Sequence, residues 1–437
     1  MEGIKEMTKE NEIKEKIKQL VKDYFSLKTS EFIPGKTKIP LNIPSYSWEE
    51  AYEAIESIIT TWVTMGEKVQ KFERKFADYV GVENAVMVNS GSTANLLALS
   101  ILTNPRINNR IQNGEEIITP AITWSTTVFP IINVNAIPFL VDVDLDTYTI
   151  DTTEIEKAIT DKTRAIMPVH LLGNPCNMKE IMEIAEEHDL FVVEDCCEAH
   201  GAEFNGKKVG SFGDISTFSF FFSHHISTIE GGMILTNNED YAELAKSLRA
   251  HGWIRELKNR KEISKKYKEI DERFLFINIG YNVRPTEIQG AFGIHQIKKL
   301  DKFIEIRRDN ARYWTEKLKQ YSDYLLVPEE RKGTKHVWFG YPITVKPTAP
   351  FTRKELVNFL EQKGIETRPI MAGNIAEQPV MKLFKYRKVG NLNNSKNIMR
   401  NSFFFGNHQG IGKTEREYIA DCISKFTEQK IGVENDR

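Results

Sequence analysis

Histidine is the side chain best suited to moving a proton near neutral pH, because its unperturbed pKa is ~6.5. Two stand together in FSFFFSHHISTIEGG, Phe218 to Gly232, where an aromatic run gives way to a turn closed by Glu230, Gly231 and Gly232. His224 there could remove and return a proton, with His225 orienting it. Three other stretches carry residues fit for chemistry. NSGSTANLLALS, Asn89 to Ser100, ends a strand-like run and opens a helical one with Gly91, Ser92 and Thr93. The N–H groups of such a helix start attract an anion, phosphate above all. VVEDCCEAHG, Val192 to Gly201, sets Glu194 and Asp195 at the end of an apolar run, where a carboxylate can hold a protonated ring nitrogen. GYNVRPTEIQGAFG, Gly280 to Gly293, begins a helix with Pro285 near its head. Each stretch alone also reads as a cap, a salt bridge or two packed histidines. Their occurrence together, in this order, is far more specific.

These residues need a scaffold. From about 48 to 300 short apolar runs alternate with helical patterns. Expected strands are 85–89, 115–120, 137–144, 164–170, 190–196, 215–221 and 231–237. Apolar strands interleaved with amphipathic helices indicate a parallel or mixed sheet covered on both faces. Ligands of such sheets gather beyond the carboxyl ends of the strands. Residues 291–320 read as one long helix. A smaller α/β lobe follows, with a strand at 339–345 and a closing helix near 414–428. The expected division is an N-terminal helix and extended arm (1–47), a large domain (48–300) and a small domain (301–437).

The bulk numbers exclude several functions. A 437-residue chain with 41% hydrophobic and 27% charged residues is an ordinary globular protein. A net charge of −2 gives no reason to expect nucleic acid or an anionic membrane as partner. The first 25 residues are densely charged, without the apolar segment of a signal peptide, and Ile13, Ile17, Leu20, Val21 and Phe25 recur at helical spacing. Cys176, Cys196, Cys197 and Cys422 are too few for a disulfide framework, so a cytoplasmic location is expected. Asp142, Asp144 and Asp146 mimic a calcium loop, but Thr147 and Thr153 stand where an EF-hand needs Gly and Glu, so no metal is expected.

The four stretches resemble the sugar aminotransferase family of DegT/DnrJ/EryC1/StrS type. The resemblance covers about residues 45 to 430 and implies a fold type I pyridoxal-phosphate enzyme. It implies a mixed, mostly parallel seven-stranded sheet between helices, with a smaller C-terminal α/β lobe. It also implies that Gly91, Ser92 and Ser219 bind the cofactor phosphate, that Asp195 pairs with the pyridine nitrogen and that Trp124 (in PAITWSTT) covers the ring. Asn282 would reach the cofactor phosphate of a neighbouring subunit, making a homodimer necessary.

One departure carries the functional reading. Ordinary members place a lysine five residues after the serine and six before the glutamate. Here that position is His224. SHHISTIEGG, RPIMAGN (368–374) and FFFGNHQ (403–409) resemble the lysine-less branch, the 3-dehydratases of nucleotide-linked 4-keto-6-deoxyhexoses. A lysine amine would hold the cofactor aldehyde covalently; histidine cannot. The cofactor can then rest as pyridoxamine phosphate, with its amine free for a keto sugar and its ring as electron sink. His224 would act as acid and base in expelling the C3 hydroxyl, giving a 3,6-dideoxy-4-keto sugar of the kind used in O-antigen biosynthesis. Glutamate would restore the amine. Arg368 is a candidate for the donor carboxylate or the sugar phosphates, and Glu198, three after Asp195, is a polar candidate without a settled role.

Part of this branch carries an iron–sulfur cluster and takes electrons from a reductase. The stretch 251–276, where those relatives cluster their cysteines, has none, so no cluster is expected. The alternatives are a reductase-dependent dehydratase, a 4-aminotransferase, and an inactive binding protein that keeps the cofactor fold.

Overall fold

The computed structural model describes residues 2–27 and 31–432. Met1, residues 28–30 of the expected arm and 433–437 of the expected small domain lie outside the described residues. All seven expected strands form, and they lie in one sheet. Its order is Asn84–Val88, Gly232–Thr236, Ile215–Ser219, Phe191–Asp195, Thr163–Ile166, Glu116–Pro120, Ile137–Val141 and then Arg387–Lys388. Only Gly232–Thr236 runs against its neighbours. The sheet therefore has eight strands, not seven. The eighth is a polar pair from the C-terminal third, added in parallel beside Phe139 and Leu140. Two residues without an apolar pattern leave no strand signal in sequence. They sit there because Ile375, Met381 and Leu392 from the same segment pack with Ala121, Val128 and Leu140. The expected cut at 300 is thus not clean, since this segment returns to the large sheet.

Helices cover the sheet, some burying a single stripe and Gly91–Leu102 burying nearly its whole surface. In Glu67–Val80 the buried residues are Val69, Phe72, Phe76, Ala77 and Val80, at helical spacing, and Gly81 ends the helix at φ 88°. Phe72 and Phe76 meet Phe220 edge to face at 5.0 and 5.1 Å between ring centroids. The aromatic run therefore serves packing at Phe218 and Phe220, both fully buried, while Ser219 and Phe221 turn to the opposite side. Glu287 of the fourth stretch has a packing role too. Its buried carboxylate accepts the N–H groups of Gly66, Lys68 and Val69, satisfying the start of the Glu67–Val80 helix.

The expected helix over 291–320 is broken. Glu287–Gln296 ends and Leu300–Leu318 begins after a turn in which Lys299 N–H bonds the Gln296 carbonyl. The bend brings Lys299 Nζ to buried Glu50 at 2.7 Å and sinks Leu300 completely. The long second helix leads into a smaller antiparallel sheet of Leu325–Leu326, Gly340–Val345, Ser402–Gly406 and Thr367–Pro369. Its core centres on Trp314, Tyr341 and Phe405. Among its described residues the arm crosses this lobe without a strand of its own, with a single isolated bridge at Ile39. It is pinned by Ile39 N–H to the Gly364 carbonyl and by Asn42 Nδ2 to the Phe222 carbonyl.

Candidate active site

The codirectional strands end on one edge, and their carboxyl ends surround a cavity of about 550 Å³. Its wall includes Gly91, Ser92, Trp124, Asp195, Glu198, Ser219, His224 and Arg368. Eight of the ten residues singled out in the sequence thus meet in one place. His225 and Asn282 do not. His225 is fully buried behind the wall, with Nε2 2.9 Å from the Val337 carbonyl, so it is not placed to touch a substrate. Asn282 is exposed outside this chain's pocket, its side-chain oxygen accepting from Arg284 Nε at 3.1 Å.

The anion end is built from a helix start. Ser90 caps Gly91–Leu102 by accepting the Thr93 N–H, which leaves the N–H groups of Gly91 and Ser92 without an intrahelical partner. Ser219 lies directly opposite. A Cβ on residue 91 would overlap the Ser219 side chain, coming within 2.8 Å of its Oγ. Gly232 allows the same closeness on the other flank, where a Cβ would collide with the Ser90 carbonyl. Gly91→Ala is therefore expected to push Ser219 out of line and weaken binding of a phosphate-bearing cofactor by about tenfold or more. Spectrophotometric titration with pyridoxal phosphate measures this, and an unchanged dissociation constant would remove the phosphate assignment.

Asp195 forms the floor. Its Oδ2 accepts from Asn95 Nδ2 at 2.9 Å and Thr127 Oγ1 at 2.8 Å, and its Oδ1 from the Cys197 N–H at 3.1 Å. Asn95 is fully buried and reaches Thr217 with its oxygen. Three donors hold the carboxylate in place and aimed. Glu194, its neighbour, points to the other face of the strand. It accepts from Gly210, Phe212 and Gly213 N–H and meets His170 Nε2 at 3.2 Å. Asn95 and Thr127 escaped the sequence reading. The signal available was a lone amide inside an otherwise apolar helix.

Glu198 lines the cavity and accepts the Leu172 N–H at 2.7 Å. Burial pushes its carboxyl up to about 8, against the pull of that N–H, and the Asp195 charge adds to the rise. An acid raised in this way is neutral below about 8 and charged above it. Above that pH the pocket gains a further negative charge, and anionic ligands bind less tightly. KM for an anionic substrate is expected to climb above pH 8 in the parent and to stay flat in Glu198→Gln. Parallel KM–pH profiles in the two proteins would contradict the assignment.

His224 is half-buried at the wall, its ring 5.3 Å from that of Phe339. Burial and then the Arg307 charge push its pKa down to about 3, so it is a neutral imidazole at physiological pH. Arg368 sits at the rim, half exposed, with Nη2 2.7 Å from Glu366 Oε1. Among the DxDxD residues, Asp144 closes a turn by accepting from Asp146 and Thr147 N–H.

The donor set fits a pyridoxal-type cofactor. The glycine cradle and Ser219 suit its phosphate, the fixed Asp195 carboxylate suits its ring nitrogen, and Trp124 stands at the rim. Among the described residues, no lysine lines the wall. An α/β sheet with this pocket at its carboxyl edge defines a pyridoxal-phosphate enzyme of transferase fold. The chain belongs to the DegT/DnrJ/EryC1/StrS aminotransferase family, whose model matches residues 45–424. It is 43% identical over 390 residues to a GDP-4-keto-6-deoxy-D-mannose 3-dehydratase of Escherichia coli O55:H7, covering 88% of this chain and 100% of that protein. It is 36% identical over 433 residues to the lipopolysaccharide biosynthesis protein RfbH of Salmonella typhimurium, covering 96% and 98%. A crystal structure of GDP-4-keto-6-deoxymannose-3-dehydratase with a trapped PLP-glutamate geminal diamine superposes with a TM-score of 0.83. That chain is 39% identical, with 88% of this chain and 99% of that one covered.

Proposed function

We propose that this protein is a pyridoxamine/pyridoxal-phosphate-dependent 3-dehydratase, a lyase acting on a nucleotide-linked 4-keto-6-deoxyhexose. The observation that carries the reading is an imidazole, His224, at the wall of a pocket otherwise equipped for this cofactor. When bound, the cofactor supplies a free amine for the sugar ketone and a ring that accepts electrons. The protein does the rest. Gly91, Ser92 and Ser219 hold the phosphate, and Asp195 keeps the ring nitrogen protonated. His224 removes a proton from the cofactor's C4′ carbon and delivers one to the oxygen leaving sugar C3. Its neutrality fits it for the first step. The strain of protonating it beside Arg307 makes it a ready donor in the second.

Glutamate as amino donor is part of this reading, with Arg368 as the carboxylate or phosphate ligand at the rim. So is a homodimer. Asn282 lies on a surface where Ile279 is 97% exposed, as suits a residue completing the partner's phosphate site. Among the described residues no helix is long and apolar enough to cross a membrane; a cytoplasmic enzyme of lipopolysaccharide-type deoxysugar synthesis is the setting we assign.

The test supplies protein, pyridoxal phosphate and glutamate with the GDP-linked 4-keto-6-deoxyhexose, and with its CDP counterpart for comparison. A sugar lighter by one oxygen atom, with ammonia released, supports the dehydratase. A 4-amino sugar with its oxygen retained means an aminotransferase. Turnover only on adding a reductase means the electron-dependent variety of dehydratase.

A further inference from the structure

Behind His224 lies a group of imidazoles that the dehydration itself does not use. His200 and His225 are fully buried. The His200 ring centroid is 5.9 Å from that of His224 and 5.6 Å from that of His225. Phe76, Phe218 and Phe220 close around His200 at 6.2, 5.4 and 5.5 Å. Both ring nitrogens of His200, the Nδ1 of His224 and the Nδ1 of His225 are buried without a hydrogen-bond partner. Leaving one such atom unpaired costs about 1–3 kcal/mol, so four in one cluster call for an explanation.

One arrangement satisfies all four. Val337 offers a carbonyl, which can only accept, so His225 Nε2 carries the proton. In a neutral ring, His225 Nδ1 is then an acceptor. His200 can donate one N–H to it and accept at its other nitrogen from His224 Nδ1–H. The His224 Nε2 is left as a lone pair, and this nitrogen is the one not buried behind the wall. Imidazoles joined by an N–H···N bond of about 3 Å have centroids roughly 5 Å apart, so each ring pair must close by under ~1 Å.

We infer that His200 is a positioning residue for the reaction, linking His225 to His224 in a hydrogen-bonded chain whose polarity, set by the Val337 carbonyl, presents His224 Nε2 to the pocket as the base. The inference rests on the assignment of His224 as the base in the proposed function. The surroundings keep all three rings neutral. Arg307, from the Leu300–Leu318 helix, is fully buried and spends its Nη1 on the carbonyls of Trp338, Phe339 and Asn407, with no carboxylate paired to it among the described residues. Burial holds His200 and His225 well below the ordinary histidine range, with the Arg307 charge adding to the effect. The same two causes bring His408, on the arm side, down to about 4. Three acids, Asp195, Glu198 and Glu230, line the cavity, and the partners of the first two are Asn95, Thr127 and backbone N–H groups. The Ser219 carbonyl also faces the His200 ring. A His200 proton given to that carbonyl would leave His225 Nδ1 unpaired, so the arrangement that satisfies all four nitrogens gives it to His225.

The decisive measurement is long-range proton–nitrogen correlation NMR on the full, histidine-labelled chain without cofactor, with His224 assigned from His224→Asn. The expected spectrum shows His224 protonated at Nδ1 and bare at Nε2, and His225 the reverse. His200→Leu is expected to mix the His224 tautomers and lower kcat by about tenfold or more with KM within about twofold. His200→Gln, whose amide can both accept and donate, is expected to recover most of that loss. His224 protonated at Nε2 in the parent protein overturns the inference, and so does His200→Leu turning over within about twofold of the parent. The tautomer reading needs no substrate, so it stands or falls separately from the dehydratase assignment.

Discussion

His224→Asn is expected to lower sugar-nucleotide turnover by about 10³-fold while leaving cofactor binding nearly unchanged. Among the described residues, the imidazole is the only group at the wall that combines a free ring nitrogen, a neutral state at pH 7 and a place between Ser219 and Glu230. Asparagine keeps the polar volume but cannot take or return a proton. Gly91, Ser92 and Asp195 lie at other strand ends, and Ser219 is held within its own strand, so the cofactor still has its anchors. The expected record is an unaltered cofactor dissociation constant beside a collapsed kcat. Activity within about tenfold of the parent would mean that another group, such as Glu198, carries the proton, and His224 would lose its assigned role.

Most of this site was readable from sequence, and the failures have physical causes. Apolar runs marked the seven strands because strands buried on both faces cannot hide their composition. The register of His224 against Ser219 and Glu230 is local, so counting residues sufficed. Whatever depends on distant pairing was invisible. His224 and His225 are adjacent and identical in type, and only a carbonyl 112 residues away separates a pocket residue from a buried one. Asn95 holds Asp195 across 100 residues. The break near Lys299 contains no helix-breaking residue and places Lys299 against Glu50, 249 residues away in sequence. The Arg387–Lys388 strand forms because flanking apolar residues dock on the large sheet.

The second large effect belongs to Asp195→Asn. The carboxylate accepts three hydrogen bonds and donates none, which leaves its negative charge as the feature offered to the cavity. An amide in its place has one acceptor and one donor. If its oxygen stays with Asn95 and Thr127, its NH₂ faces the Cys197 N–H, donor against donor. The opposite orientation sets the Asn95 Nδ2 donor against the NH₂. Either way a donor is stranded in the buried floor, and no charge remains to hold the ring nitrogen's proton. A charge-assisted bond of this kind is worth about 1.5–3 kcal/mol, so a loss of roughly 10²-fold in turnover is expected, with weaker cofactor retention as well. The cofactor's absorbance should also respond to pH in the variant where the parent's is constant, because its ring nitrogen then titrates in the working range. Turnover, dissociation constant and spectral titration measured on one preparation separate this electronic role from simple unfolding. A variant with full turnover and a pH-independent spectrum would show that the ring nitrogen takes its proton from elsewhere in the pocket.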